Sequence, residues 1–445
     1  MGIETAPRAM SLEARTIRKI KVRILPFVWL LYIVAFLDRI NIGFAALTMN
    51  KELAITSQQF GFVAGIFFVS YSICEIPSNL LLHKIGARIW LARILLTWGI
   101  LATLTGFVHS VHQLYAMRFL LGLAEGGYFP GILLYLTYWF RQREQAQAVA
   151  LFITGIPVAN ILGAPLSGLI LDHMHAFGLG SWRWLLILEG IPAVVCGALT
   201  YFLLPSGPAE ARFLTPDEKT WIAEQIRMED ADKRRAHPVS AIRALVHGRV
   251  WHLAAIAFTV GASVYTANFW MPQIVRAAAT GYSNTLIGLL VMTPNVLGLV
   301  LMIVISRSSD RRLERRWHTA VPAIVGGIAC LSFGASHSLF LSIALLSLLA
   351  VGIYGASGPF WTLPSQFLSG FSAAAGIAVV SSIANLGGFA GPYAVGLIGQ
   401  KTGSLNGGIT LAGIALLVLA SLVLLLPRRP RTLAGEFARP STHDS

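Results

Sequence analysis

Apolar residues in this chain gather into blocks of about 20, separated by short polar breaks; a helix of that length crosses a ~30 Å hydrocarbon core. Twelve such blocks can be drawn, at 24–48, 58–82, 89–109, 113–140, 146–171, 182–204, 249–275, 284–306, 319–336, 338–363, 372–399 and 407–426. The pattern predicts an all-α polytopic membrane protein with twelve transmembrane helices. Two of the breaks, Ser336-His337-Ser338 and Ser365–Ser372, are short and hardly polar. Only 205–248 is a long hydrophilic stretch. It opens on Pro205-Ser206-Gly207-Pro208 and contains Thr215-Pro216-Asp217-Glu218, where a proline at the first helical position and acids in the first turn signal a helix start. The expected organisation is therefore a tail (1–23), a six-helix bundle (24–204), a linker with a short surface helix (205–248), a second six-helix bundle (249–426) and a tail (427–445).

Composition agrees with this pattern. Of 445 residues, 55% are hydrophobic and 12% charged, against about 25% charged in soluble proteins, and the mean hydropathy is +0.68. The net charge of +14 invites a nucleic-acid reading, but its distribution argues against one. Lys and Arg collect in the N-terminal tail (Arg8, Arg15, Arg18, Lys19, Lys21, Arg23), in alternate loops (Lys84, Arg88; Arg141, Arg143; 205–248; Arg307 to Arg316) and at the C-terminal end (Arg428, Arg429, Arg431, Arg439). The opposite loops hold only Lys51, Arg183, Arg276 and Lys401. Such alternation is the positive-inside bias, which places both ends in the cytoplasm of a bacterial-type inner membrane. The basic start leads into a long apolar run without the short core and small-residue site of a cleavable signal. Cys74, Cys196 and Cys330 each lie within an apolar block and read as buried small hydrophobes. His109, His112, His173 and His175 match no metal-ligand spacing.

Four charges inside apolar blocks carry the functional signal: Asp38 and Arg39 in the first, Arg118 and Glu125 in the fourth. A charge at the centre of a membrane helix costs roughly 2.5–3.5 kcal/mol, so such residues face a polar cavity and mark an ion or substrate path. Arg118 and Glu125 are about two turns apart and project from nearly one face. The pattern points to a proton-coupled carrier of organic anions.

The two halves echo each other at a shift of about 227 residues. Asn79 to Arg88 between the second and third blocks corresponds to Ser306 to Arg316 between the eighth and ninth. Gly126-Gly127-Tyr128-Phe129-Pro130 has its counterpart near Gly355 to Phe360. Six-plus-six repeats about a linker are the layout of major facilitator carriers, whose site lies between the halves. Several ordered motifs strengthen this: Phe36-Leu37-Asp38-Arg39-Ile40-Asn41, Glu75-Ile76-Pro77-Ser78-Asn79, Gly86-Ala87-Arg88 and Arg118 to Gly131 in the first half, with Trp182-Arg183-Trp184 leading to Glu189-Gly190-Ile191-Pro192. The second half adds Ser309-Asp310-Arg311, Glu314 to His318 and Asn385 to Pro392. Over residues 20–426 the chain resembles the major facilitator superfamily and, within it, the anion:cation symporter family of tartrate, phthalate, sugar-acid and hydroxyphenylacetate permeases. The resemblance implies uptake of a small carboxylate driven by protons, without another cofactor, by a functional monomer in the bilayer. It also implies a gating loop (Gly86, Arg88, with Asp310 and Arg311 in the second half). His83 stands where the superfamily usually has an acid, a departure that bears on the first-half gate.

The expected roles follow. Asp38 and Glu125 carry protons, since burial and a neighbouring Arg pull a carboxylate in opposite directions; the structural alternative is a static ion pair. Arg39 and Arg118 bind substrate, because the planar guanidinium donates two parallel bonds to a carboxylate; Arg118 could equally pair with Glu125. In this scheme ionised Asp38 occupies Arg39 and protonated Asp38 frees it. Tyr71, Trp361 and Asn385 are further substrate-binding candidates, with Tyr265, Asn268, Tyr354 and Gln366 behind them. Glu75 and Glu189 are read as structural pairs. Glycines and prolines of the fifth and eleventh blocks permit close, adaptable helix contacts; they lack the lysine of a phosphate-binding loop. Rival readings are a uniporter, an exchanger or a sodium symporter on the same fold. A sensor or enzyme is a more distant alternative: no nucleophile–base constellation is visible, so no enzymatic activity is expected.

Overall fold

The computed structural model describes residues 11–236, 248–336, 338–363 and 371–427. The first half comprises α1 (Leu12–Glu52), α2 (Ser57–Ile85), α3 (Ala87–Thr105), α4 (Val111–Glu125), α5 (Tyr128–Thr137), α6 (Gln142–Ile153), α7 (Gly155–His173) and α8 (Ser181–Leu203). Helix α9 (Pro216–Ala236) lies in the linker. The second half comprises α10 (Gly248–Ala278), α11 (Asn284–Arg312), α12 (Arg316–Leu331), α13 (Leu339–Phe360), α14 (Phe371–Thr402) and α15 (Asn406–Leu424). Eleven segments among the described residues are long and apolar enough to cross a membrane; α14, 32 residues long, completes the set of twelve. The outward surface is apolar, with Ile73, Leu162, Phe202, Val304 and Ile328 all exposed, as a lipid-facing wall requires.

Local chemistry sets the helix ends. Ser11, Ser110, Ser283 and Ser338 cap α1, α4, α11 and α13 by accepting a backbone N–H. Thr56 and Gln59 form a reciprocal capping box at α2. Two apolar blocks that read as continuous are broken. The fourth splits at Gly126-Gly127, where Gly127 adopts φ +86°, and a Cβ there would meet the Ser78 side chain at 2.5 Å. The fifth splits at Thr154, between α6 and α7. The glycine break matters for function because Glu125 is the last residue of α4.

Helix α1 has 41 residues, about 60 Å at 1.5 Å per residue, twice the hydrocarbon core. Its first turns belong to the linker region rather than the membrane: Arg15 and Lys19 pair with Glu218 of α9 at 2.8 and 2.9 Å. Glu13 accepts from Arg141 at 2.8 Å and also pairs with Arg143.

The halves repeat the same helix pairings. Helices α3–α8, α2–α4 and α1–α7 of the first half match α12–α15, α11–α13 and α10–α14 of the second. Between halves, α2 packs on α14 and α7 on α11, again a symmetric pair. These crossings are tight at the end away from the linker. A Cβ on Gly288 would meet the Ala164 carbonyl at 2.2 Å, on Gly168 the Asn284 carbonyl at 2.4 Å, and on Gly61 the Pro392 carbonyl at 2.6 Å. Backbone approach this close admits glycine alone. There, too, Asp172 of α7 accepts from the backbone and side chains of Asn284 and Thr285 at 2.7–3.0 Å, capping α11 across the halves.

Candidate functional site

Between the halves lies a cavity of about 880 Å³, its mouth included. Tyr32, Arg39, Tyr71, Phe129 and Ile156 line it from the first half; Tyr265, Met302, Tyr354, Ser357, Trp361, Ser381 and Asn385 line it from the second. Its lining includes Phe129, Ile153, Trp361 and Ser381 toward the linker end, and the tight glycine crossings lie at the opposite end. Arg39 carries the only charge among these lining residues. An apolar, aromatic cavity with one fixed cation and a few hydroxyls and amides suits a small organic anion.

Arg39 is held from both halves. Its Nη2 is paired with Glu125, and its Nη1 donates to the Tyr265 hydroxyl at 3.1 Å across the interface. The rings of Phe36, Phe67 and Tyr71 surround its guanidinium at 5.4–5.6 Å. Nε has no partner among the described residues.

Asp38 lies elsewhere. Adjacent helical residues diverge by about 100°, so with Arg39 on the cavity wall Asp38 enters the core of the first bundle. There it is buried and accepts from Asn41 Nδ2 at 3.1 Å and from Trp98 Nε1. This corrects the expected competition for Arg39: the acid in possession of that guanidinium is Glu125, not Asp38. Arg118 is also displaced from its expected place on the substrate. It is 2% exposed, is absent from the cavity wall, donates from Nε to the Val63 carbonyl at 3.2 Å and stacks on Phe67 at 4.9 Å. Nor does it pair with Glu125. Seven residues restore the helical face but leave about 10 Å along the axis, so the two reach different levels of the bundle, Arg118 that of Asp38.

Tyr71, Trp361 and Asn385 all line the cavity. The Tyr71 hydroxyl accepts from Phe129 N at 3.3 Å. Asn385 donates to Glu75 at 3.2 Å, as Ser381 does at 3.1 Å, so Glu75 ties α2 to α14 beside the site. Tyr265 and Tyr354 line the cavity too: Tyr354 bonds Asn295 at 2.9 Å and receives Asn160 from the other half at 3.3 Å. Tyr32, Ser357 and Ser381 were not singled out in the sequence, where an isolated Tyr or Ser in an apolar block carries no signal. Gln366 lies outside the described residues.

At the linker end, Gly86 takes φ +94°, a left-handed conformation that ends α2 and starts α3 within one residue. Arg88 meets Glu210 of the linker at 3.5 Å. Asp310 pairs with Arg315 at 2.5 Å, and Arg311 is exposed. Arg183 engages Glu52 at 3.1 Å and the Gly106 and Val108 carbonyls rather than Glu189.

Comparison with known proteins agrees with this architecture. Two proteins of Agrobacterium vitis, each called "Putative tartrate transporter", are 45% and 43% identical over 419 and 428 residues, covering 94% and 96% of this chain and 92% and 98% of their own. A structure of the xylose transporter XylE from E. coli, in a partially occluded inward-open conformation, superposes with a TM-score of 0.74. It covers 94% of this chain and 100% of that one at 15% identity, a likeness of fold. Residues 28–392 match the Major Facilitator Superfamily, and the chain belongs to that superfamily of membrane transporters.

Proposed function

We propose that this transporter takes up a small organic anion, such as tartrate, a sugar acid or an aromatic carboxylate, in symport with protons by alternating access. The observation that carries the reading is the buried pair of Arg39 and Glu125, with Arg39 on the wall of a cavity whose described lining residues hold no other charge. An ionised Glu125 satisfies Arg39 and excludes a second carboxylate. A protonated Glu125 releases the guanidinium, whose fork then binds the substrate carboxylate. Tyr71, Trp361, Asn385 and Tyr265 border the rest of the anion. Asp38, in the core beside Arg118, is the second proton-carrying acid. Relatives bearing a tartrate name support the substrate class.

With the basic loops in the cytoplasm, the cavity faces inward and the glycine crossings close the outer side. Rocking of residues 24–204 against 249–426 then exposes Arg39 alternately, with Gly86, Arg88, Asp310 and Arg311 at the gating loops. The test is uptake of labelled tartrate into proteoliposomes. Accumulation is expected under an acid-outside gradient and should vanish when a protonophore collapses it. Accumulation that survives the protonophore, or that follows a sodium gradient instead, would overturn proton symport.

A further inference from the structure

Besides Asp38, Glu75, Glu125 and Glu144, the first bundle buries Glu189 of α8, 4% exposed. Ser167 of α7 donates to its Oε1 at 2.9 Å, whereas Oε2 is buried without a hydrogen-bond partner. Asn41 and Asp38 of α1 are among the polar groups near this carboxylate, and the Asn41 amide donates to Asp38 at 3.1 Å. Asn41 thus stands between two buried acids.

Among the described residues, no cation forms an ion pair with Glu189. Helix α8 packs on α1, α3 and α7. On α1, Arg39 is committed to Glu125. On α3, the crossing places Gly190 against Thr103, and Arg93 lies about 15 Å further along that axis. On α7, Asp172 is committed to the start of α11. On α8 itself, Arg183 is held by Glu52 and two carbonyls. Arg118 of α4 faces Asp38. Asp38 has Arg118 and Arg39 near it, Arg39 being paired with Glu125; a second buried carboxylate at Glu189, one amide away, favours holding a proton between the two acids.

We propose that Glu189, Asn41 and Asp38 form a proton-sharing pair in which Glu189 stores the coupling proton while Asp38 is ionised. The transfer is a plain proton exchange between carboxylates: an O–H bond breaks on one acid and forms on the other, and Asn41 holds whichever is charged. This proposal rests on the proton-symport reading, but the first measurement below does not need a substrate.

In purified protein, the infrared C=O band of protonated carboxyl groups is followed through a pH titration. Glu189→Gln is expected to remove one such band and to move the titration of Asp38 by about one pH unit, a tenfold change in proton affinity. Ser167→Ala keeps the acid and should shift the band without removing it, so the proposal stays testable should Glu189→Gln not fold. In proteoliposomes with labelled tartrate, Glu189→Gln should lose gradient-driven accumulation and shift its pH profile, while tartrate–tartrate exchange persists. An Asp38 titration that is identical in wild type and Glu189→Gln would overturn the pair. If wild type fails to move tartrate while the infrared coupling is present, the choice of tartrate falls and the pair stands.

Discussion

Glu125→Gln is the sharpest test of how Arg39 is controlled. The two side chains are 6% and 1% exposed, so solvent screens neither, and removing one partner of a buried ion pair costs about 3–5 kcal/mol. Arg39 retains the Tyr265 hydroxyl and three aromatic rings. A desolvated cation over a ring is worth up to ~2 kcal/mol, which places the loss near the lower end, about 3 kcal/mol. A substrate carboxylate supplies the missing anion, so saturating tartrate should restore most of the lost thermal stability and stabilise the variant more than wild type. Binding changes as well. Where binding requires uptake of one proton, affinity falls about tenfold per pH unit above the operating range. Wild type should show that slope in equilibrium tartrate binding between mildly acidic and mildly alkaline pH. Glu125→Gln, which permanently mimics the protonated acid, should bind with little pH dependence. A variant that keeps the wild-type slope, or a wild type without one, would refute competition between Glu125 and substrate for Arg39.

Other outcomes follow from the closed end and the linker. Asp172→Asn weakens a charged cap with four hydrogen bonds to α11. At about 2 kcal/mol for bonds to a charged group, cysteine labelling near Ser57 and Asn284 should show the sealed end opening roughly thirtyfold more often. Gly288→Leu places a side chain where the Ala164 carbonyl lies 2.2 Å from a Cβ; the halves should fail to close at that end, leaving tartrate binding measurable but abolishing gradient-driven accumulation. Burial disfavours the charged form of Glu218, yet the Thr215 N–H, Lys19 and Arg15 outweigh it and hold the carboxyl below its usual range. Because this acid's folded value is depressed, its contribution is full above the unfolded value of about 4.3 and fades as pH falls through the folded one. Acid proteolysis of the linker should therefore rise below about pH 4, and Glu218→Gln should show the same susceptibility at neutral pH.

The sequence alone determined the apolar blocks, the helices they form and the family. Each depends on local composition summed over about 20 residues, and lipid demands that each segment satisfy its own backbone. It also determined which residues are chemically out of place: Asp38, Arg39, Arg118 and Glu125 stand out because a charge in hydrocarbon is costly wherever the helix turns. Tertiary structure alone decided who pairs with whom. Neighbouring Asp38 and Arg39 face different compartments because one residue rotates a helix by about 100°, so Arg39 finds Glu125 from another helix and Asp38 finds Trp98 and Asn41. The breaks at Gly127 and Thr154 were hidden because an apolar block reads alike whether or not it kinks. Tyr32, Tyr265 and Ser381 became cavity residues only when two halves 200 or more residues apart in the chain came together, and no local pattern encodes that meeting.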